Sequence, residues 1–306
     1  MTGGCGFIGS HLADALIARG DRVRVLDDLS TGRVENAPAA AELVRGDVAD
    51  AGLVARAMAD VDGCFHLAAI ASVERGRRDW LGSHRVNLTA TIGVFDAARR
   101  ARGQPVPVVY ASSAAVYGDN PAIPLGEDAV AQPLSAYGAD KFGCELHARV
   151  ASTLHGVPTF GLRFFNVYGP RQDPGSPYSG VISIFCDRLR RGETVTIFGD
   201  GEQARDFIYV ADVVAALEAA MAALASTPAV APAVANVCTG QPTSINALVH
   251  QIAALCGAAP AVERAPARAG DIRRSIGDPG RARRQLGLAA PTPLSVGLAR
   301  TLDPAP

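Results

Sequence analysis

Short apolar runs alternate with amphipathic stretches along the first half of the chain. The runs at 22–26 (RVRVL), 42–45 (ELVR), 63–68 (GCFHLA), 106–112 (VPVVYAS) and 157–164 (VPTFGLRF) predict strands. The stretches 7–19, 51–60, 84–102 and 135–155 predict helices between them. This alternation reads as a parallel sheet with helices on both faces, and the near-continuous apolarity of the strands fits burial on both sides. After 165 the rhythm changes. Residues 166–180 are rich in Gly, Pro and Ser and read as loop. A helix (181–191), a short strand (195–198) and a strand–helix pair (206–224) come next. A Pro/Ala-rich linker (226–235), a strand (235–238) and a helix (244–256) follow. The tail reads as irregular, with short helices near 280–286 and 293–301.

Gly3, Gly6 and Gly9 form G-x-x-G-x-x-G and lead directly into the helix from Phe7. Glycines let a backbone turn sharply and approach a pyrophosphate whose charge sits on a helix N-terminus. Strand 22–26 then runs into Asp27 and Asp28. A carboxylate there accepts hydrogen bonds from ribose hydroxyls and repels a 2′-phosphate, which favours NAD over NADP. The expected architecture is α/β. A Rossmann-type doubly wound parallel sheet occupies 1–169 and a smaller α/β substrate-binding lobe 170–306, with parts of about 206–240 returning to the main sheet. A loop of this kind follows a central strand, yet only Met1 and Thr2 precede Gly3, so that strand is missing from the chain as written. The expectation is a misplaced start, with a valine codon read as the initiating Met.

Composition narrows the chemistry. Apolar residues make up 48% of the chain and charged residues 19%, so a sizeable core is expected. A net charge of −1 gives no pull toward nucleic acid or an anionic membrane. No apolar run is long enough to span a bilayer, and the N-terminus does not read as a signal peptide. The six cysteines are scattered without a C-x-x-C pair, and the six histidines show no metal spacing. Reduced cysteines in a cytoplasmic protein and no metal site are expected. Of 29 basic residues only Lys141 is a lysine; all the others are arginine. An ammonium, a compact point charge, is therefore expected to be needed at that position.

Tyr137 and Lys141 stand four apart on the helix 135–155 and share a face. A free tyrosine has a pKa of about 10 and is a poor base unless a nearby cation favours the phenolate. Lys141 can supply that cation. Ser113 lies at the carboxyl end of strand 106–112, where open α/β sheets place ligands. The three read as a proton relay beside a hydride acceptor.

Taken in order, TGGCGFIGSHL (2–12), VLDDLSTG (25–32), GDV (46–48), HLAA (66–69), VNLTAT (86–91), ASSAAVYG (111–118), SAYGADK (135–141), RFFNVYGPRQ (163–172), FGDGEQARDFIYV (198–210) and RAGDIRRSIGD (268–278) resemble the extended short-chain dehydrogenase/reductase superfamily over nearly the full length. The resemblance implies roles. Phe7 and Ile8 offer amides to the NAD pyrophosphate, Asp27 holds the adenosine ribose, and Asp47 with Val48 contacts adenine. Leu67, Ala68 and Ala69 line the phosphates and the nicotinamide side, and Asn87 is a family position near the catalytic helix. Asn166, Arg205 and Arg268 resemble groups that grip the nucleotide diphosphate, Val181 and Phe198 contacts around the base, and Asp271 a ribose contact. Guanidinium binds phosphate oxygens bidentately, which suits Arg205 and Arg268 to that task. The resemblance also implies a homodimer paired through 84–102 and 135–155.

Related dehydratases carry an Asp-Glu pair after the catalytic hydroxyl residue, and decarboxylases a Glu. Here stand Ala114 and Ala115, which transfer no protons. This points to oxidation and re-reduction at one carbon, hence a 4-epimerase of nucleotide sugars. RAGDIRRS and the segment 171–185 resemble UDP-N-acetylglucosamine 4-epimerases, in which the position of Ser275 borders the sugar pocket. A small residue there leaves room for an N-acetyl group, so both plain and N-acetylated UDP-hexoses are expected. Asp140 replaces the Ser common before the Lys, and Ala71 offers no polar contact where some galactose enzymes have Lys. A UDP-glucuronate epimerase, a nucleotide-sugar reductase and a catalytically dead NAD-binding regulator are the alternative readings.

Overall fold

A computed structural model describes residues 1–303 except 72, 177–179, 227–232, 258 and 269, together with every side chain but those of 73, 74 and 102 within that range. Part of the expected 226–235 linker and part of the segment 171–185 therefore lie outside the described residues. In chain order the first elements are α1 (Phe7–Ala18), β1 (Arg24–Asp27), β2 (Glu42–Arg45), α2 (Ala51–Ala57) and β3 (Cys64–His66). Next come α3 (Val73–Arg78), α4 (Trp80–His84), α5 (Ala90–Arg100), β4 (Val108–Ser113), α6 (Ala136–His155) and β5 (Thr159–Phe164). β6 (Asn166–Tyr168), α7 (Val181–Arg190), β7 (Val195–Phe198), β8 (Ala204–Tyr209), α8 (Val210–Ser226) and β9 (Ala233–Val237) follow. The chain continues with β10 (Pro242–Ser244), α9 (Ile245–Leu255), β11 (Val262–Ala265), β12 (Arg274–Ser275), α10 (Gly280–Leu286) and α11 (Leu294–Leu302).

The main sheet is parallel. β2 pairs with β1, and β3, β4, β5 and β9 follow one another on the other side. Thr2 joins the halves through single-residue parallel bridges to Leu26 and His66. The slot between β1 and β3 thus holds a two-residue stub in place of the full strand that the sequence showed to be missing. Leu26 N–H donates to Met1 O at 2.8 Å and Thr2 N–H to Phe65 O at 2.9 Å, so the stub satisfies both neighbours at the level of the glycine loop.

Each face of the sheet carries a helical layer. On one, Leu12, Ala13 and Leu16 of α1 meet Val213, Val214 and Leu217 of α8 over Val25, Val109, Phe160 and Leu162. On the other, Val54, Val94, Phe95, Cys144 and Ala148 cover Leu26, Cys64, Val108 and Tyr110. The period-2 side-chain alternation of β4 sends Val109 to one layer and Val108 and Tyr110 to the other.

A second set of strands centres on β8, which takes β6 and β12 in parallel and β10 in antiparallel register. β7 pairs with β11. Ile182 and Phe185 of α7, Leu248 and Ile252 of α9 and Leu298 of α11 bury Val195, Ile197 and Phe207.

Three sequence expectations need correction. The stretch 84–102 is helical as far as Arg100 but not uniformly α: a π turn over Arg85–Thr89 is inserted between α4 and α5. There the side chain of Asn87 leaves the helix to bond the backbone of Ile70, and Thr91 Oγ1 donates to Asn87 O at 2.7 Å. The expected loop 166–180 begins with β6, three residues whose pairing with β8 is decided across the fold. The tail contains β11, whose mostly exposed Val-Glu-Arg-Ala run shows no apolar pattern, and β12, which has only two residues.

Candidate active site

The glycine loop opens α1. Gly3 has φ +70°, and a Cβ there would lie 2.7 Å from Ala68 N. A Cβ on Gly9 would lie 2.1 Å from Gly3 O. Gly6 is the N-cap and brings no side-chain cap, so the first N–H groups of α1, including those of Phe7 and Ile8, point out of the helix without one. This cradle of bare backbone donors beside a positive helix end fits the diphosphate of a dinucleotide.

Asp27, at the end of β1, is buried and accepts from Cys5 N–H through Oδ2 and from Leu29 N–H through Oδ1, both at 2.9 Å. Burial holds its carboxyl above the usual carboxylate range, and those two backbone bonds offset only part of that. A carboxylate has about four lone-pair sites, so ribose hydroxyls can still be taken. Asp28 is exposed and caps Ser30 N–H. Asp47 is exposed, turns onto Ala49 N–H and pairs with Arg85 at 3.5 Å, while Val48 beside it is buried. Burial, with the Asp27 charge second, pushes the Cys5 thiol up to about 11, so it is no nucleophile.

Leu67, Ala68 and Ala69 follow β3 and sit half-buried. Two sets of groups hold them: Asn87, named above as a family position, and a Thr2–His66–Thr91 chain that the sequence did not single out. Asn87 is 1% exposed, and both ends of its amide are spent on Ile70 N–H and C=O. It therefore positions the loop rather than facing a ligand. Thr2 Oγ1 accepts from Ala68 N–H at 3.2 Å and lies 2.8 Å from His66 Nδ1, and His66 Nε2 lies 2.9 Å from Thr91 Oγ1. Since Thr91 donates onward to Asn87 O, His66 carries its proton on Nε2 and accepts from Thr2. Burial, then the Lys141 charge, lowers the His66 pKa to about 3.

The sign of that shift sets a pH dependence. Unfolded His66 takes a proton below about pH 6.5, whereas folded His66 refuses it down to about 3. Stability contributed by the neutral ring is complete above 6.5 and falls across that window by about 1.4 kcal/mol per pH unit. His66→Gln should lower stability at pH 8 but give a shallower acid slope in urea titrations from pH 8 to 4. An unchanged slope would remove His66 as the cause.

The proposed relay lies on α6, β4 and the turn between them. Ser135 caps α6 by accepting from Gly138 N–H at 3.1 Å. Tyr137 is half-buried and Lys141 is 2% exposed. Lys141 Nζ is 5.8 Å from the Tyr137 ring centroid and donates to Ala111 O at 2.9 Å, two residues before Ser113. Ser113 caps the turn Ala114–Tyr117 by accepting from Ala115 N–H. A Cβ on Gly138 would lie 2.5 Å from Ala115 O, so α6 and this turn pack as closely as backbones allow. Ser113, Tyr137 and Lys141 are thus brought together at the carboxyl end of the sheet.

The residues assigned to the second half gather around β8. Arg205 donates to Asp271 Oδ1 at 2.5 Å and to Ala204 O at 3.0 Å. Ser275 is its register partner on β12. Arg268 is exposed and lies flat on Phe198, 3.8 Å from the ring centroid. Val181 starts α7 half-buried, and Asn166 opens β6 exposed, in register with Phe207. Arg205 with Asp271, and Arg268 with Phe198, therefore form two pairs that spacing could not foretell. The sequence also did not single out Asp206. Fully buried, it accepts from Thr239 N–H and Oγ1, Gly240 N–H and Gly277 N–H, tying two loops behind Arg205. Among the described residues no His, Cys, Asp and Glu gather in a group able to hold a metal ion, and no helix is long and apolar enough to cross a membrane.

Comparison with known proteins places this site in a class. The profile of the NAD dependent epimerase/dehydratase family matches residues 1–238, and the chain belongs to that family. More particularly, it is 40% identical to the UDP-glucose 4-epimerase of Mycolicibacterium smegmatis over 99% of this chain and 96% of that protein. Its fold matches the Thermotoga maritima UDP-glucose 4-epimerase crystallised with UDP-glucose at a TM-score of 0.93 and 35% identity, covering 99% and 96% of the two chains. The UDP-N-acetylglucosamine 4-epimerase of Methanobrevibacter ruminantium, in complex with UDP-N-acetylmuramic acid, matches at 0.90 and 35%, covering 98% and 95%.

Proposed function

We propose that the chain is an NAD-dependent 4-epimerase of UDP-hexoses, interconverting UDP-glucose with UDP-galactose and UDP-GlcNAc with UDP-GalNAc. One observation carries this reading: the turn packed against the start of α6, beside Tyr137, presents Ala114 and Ala115, neither of which can add or remove a proton. The end-to-end likeness to UDP-glucose 4-epimerases supports it.

In this reading residues 1–169 hold NAD and 170–306 hold the nucleotide sugar. Gly3, Gly6, Gly9, Phe7 and Ile8 take the pyrophosphate, Asp27 and Asp28 the ribose, and Asp47 with Val48 the adenine. Leu67, Ala68 and Ala69, on the loop that Asn87 braces, line the nicotinamide side with Tyr137 and Lys141. Bound NAD supplies a hydride acceptor, then a donor, at sugar carbon 4. Ser113 holds the 4-oxygen by a hydrogen bond. Tyr137 takes the hydroxyl proton as the carbon is oxidised, with the Lys141 ammonium beside its ring. The keto sugar turns over, and Tyr137 returns the proton, so no reagent is consumed. Arg205 and Arg268 grip the diphosphate, Asn166 assists, Val181 and Phe198 border the base, and Asp271 meets the ribose.

The test is proton NMR of purified protein with UDP-glucose, UDP-GlcNAc and UDP-glucuronate in turn. The 4-epimers of the first two appear without net NADH. Turnover of UDP-glucuronate alone would move the reading to that substrate, net NADH would make the protein a dehydrogenase, and bound NAD without turnover a non-catalytic binder. Ser275→Tyr should cost at least about tenfold in kcat/KM on UDP-GlcNAc while sparing UDP-glucose. Equal losses on both would remove Ser275 as the size filter.

Leu146, Val150 and Leu154 stand exposed one turn apart on α6, with Trp80 and Leu81 exposed on α4. Such an apolar stripe supports a homodimer formed through these helices, testable by sedimentation of the purified chain. The six cysteines are free thiols, which accords with a cytoplasmic setting, testable by fractionation of the source cells.

A further inference from the structure

Behind the relay lies a charged pair that the chemistry above does not use. Arg163 on β5 and Glu145 on α6 are 6% and 8% exposed. They meet as two parallel forks, Nε to Oε1 at 2.8 Å and the second guanidinium nitrogen to Oε2 at 2.7 Å. Ser112 Oγ donates to Glu145 Oε1 at 2.5 Å. The remaining arm of Arg163 donates to Tyr117 OH at 2.8 Å and Glu127 O at 3.0 Å. Tyr117 OH passes a hydrogen bond to Asn236 Oδ1 at 2.6 Å, and Asn236 Nδ2 donates to Leu125 O at 2.8 Å.

Stability alone is a poor reason for such a pair. Desolvating two charges costs several kcal/mol per ion, and apolar replacement of both partners is often neutral or stabilising. Its location supplies a better one. Glu145 stands one turn beyond Lys141 and two beyond Tyr137, and Ser112 directly precedes Ser113. Apart from Glu145, from Asp140, which meets His84, and from Lys141 itself, held by one bond to Ala111 O, the buried face of α6 is built from small groups, Gly138, Cys144, Ala148 and Ala151. Small side chains offer shallow ridges and fix the slide and rotation of a helix weakly. A planar bidentate fork fixes both.

We propose that Glu145 and Arg163 are positioning residues that set the register of α6 on β4 and β5, and thereby hold Tyr137 and Lys141 against Ser113. The inference rests on the epimerase reading for its kinetic consequence, while its structural consequence stands apart from it.

The test uses the full-length protein with NAD. The double variant Glu145→Leu/Arg163→Met removes both charges. It should melt close to wild type, yet kcat on UDP-glucose should fall about 30- to 100-fold, the scale of a misplacement of about 1 Å. KM should stay within about threefold, because the substrate grips lie elsewhere. The isotope effect of substrate deuterated at carbon 4 should rise as chemistry becomes rate-limiting. The milder Glu145→Gln, nearly isosteric, should lower kcat about 5- to 10-fold with the same pattern. Wild-type kcat in either folded variant overturns the proposal, as does activity falling only in proportion to the folded fraction. Wild-type protein without turnover would instead defeat the epimerase reading. In that event a crystal structure of either folded variant decides. Displacement of Lys141 Nζ from Ala111 O upholds the inference, and a retained 2.9 Å contact overturns it.

Discussion

Tyr137→Phe should leave a folded, NAD-loaded protein whose turnover is lower by about 10²- to 10⁴-fold, the usual contribution of a positioned proton-transfer group. The substitution removes one oxygen and keeps the ring. The packing of α6 on the turn after Ser113 depends on Gly138 and Ala115, and Lys141 keeps its bond to Ala111 O, so neither neighbour is lost. The groups proposed to anchor the cofactor, the glycine loop and Asp27, are carried by α1 and β1 and not by α6. NAD content, read after acid release, should therefore match wild type. KM should change little if Ser113 and the diphosphate grips dominate ground-state binding. Turnover within a few-fold of wild type would show that another group moves the proton. Loss of NAD together with activity would show that the phenol serves cofactor binding first.

The main sheet was legible because its central strands bury both faces and most of its helices are long enough to show their period. Strand 42–45 and helix 280–286 coincide with β2 and α10. What escaped depends on partners far along the chain. β6 and β12 exist because each pairs with β8, and three or two residues carry no readable period. The π turn at Arg85–Thr89 escaped because Asn87 answers to Ile70, seventeen residues earlier. For the site, motif order singled out Ser113, Tyr137, Lys141 and the glycine loop, because chemistry demands those residue types. His66, Asp206 and the Glu145–Arg163 pair brace the loops and helices that carry them, as does Asn87, which motif order named without showing that it braces Ile70. A brace is recognised only by what it touches. The nearest available signal was Arg163, a cation inside an otherwise apolar strand run, which ought to have demanded a buried carboxylate.

Gly9→Ala carries the second large effect, and the argument is one of space. The new Cβ would lie 2.1 Å from Gly3 O and 2.9 Å from both Gly3 C and Gly4 Cα. All three are backbone atoms, so no rotamer change relieves the clash. The first turn of α1 cannot back away, because Leu12, Ala13 and Leu16 are fully or nearly buried against α8. The loop must therefore yield by about 1 Å, at the about 1–3 kcal/mol typical of overpacking. Gly3 then leaves its place beside Ala68, and the amide cradle loses its shape. The expected result is protein melting several degrees lower, since 1 kcal/mol shifts a domain of this size by about 2–4 °C, and purified with little NAD. Gly6→Ala is the internal control. Its Cβ would meet only Gly3 O, at 3.3 Å, and its φ is −79°, so its melting temperature should stay near wild type. Three glycines at equal spacing thus make unequal demands on the fold. Scanning calorimetry of the two variants without added NAD separates them. Equal melting temperatures would mean that the close crossing of Gly9 over Gly3 is not what excludes a side chain there.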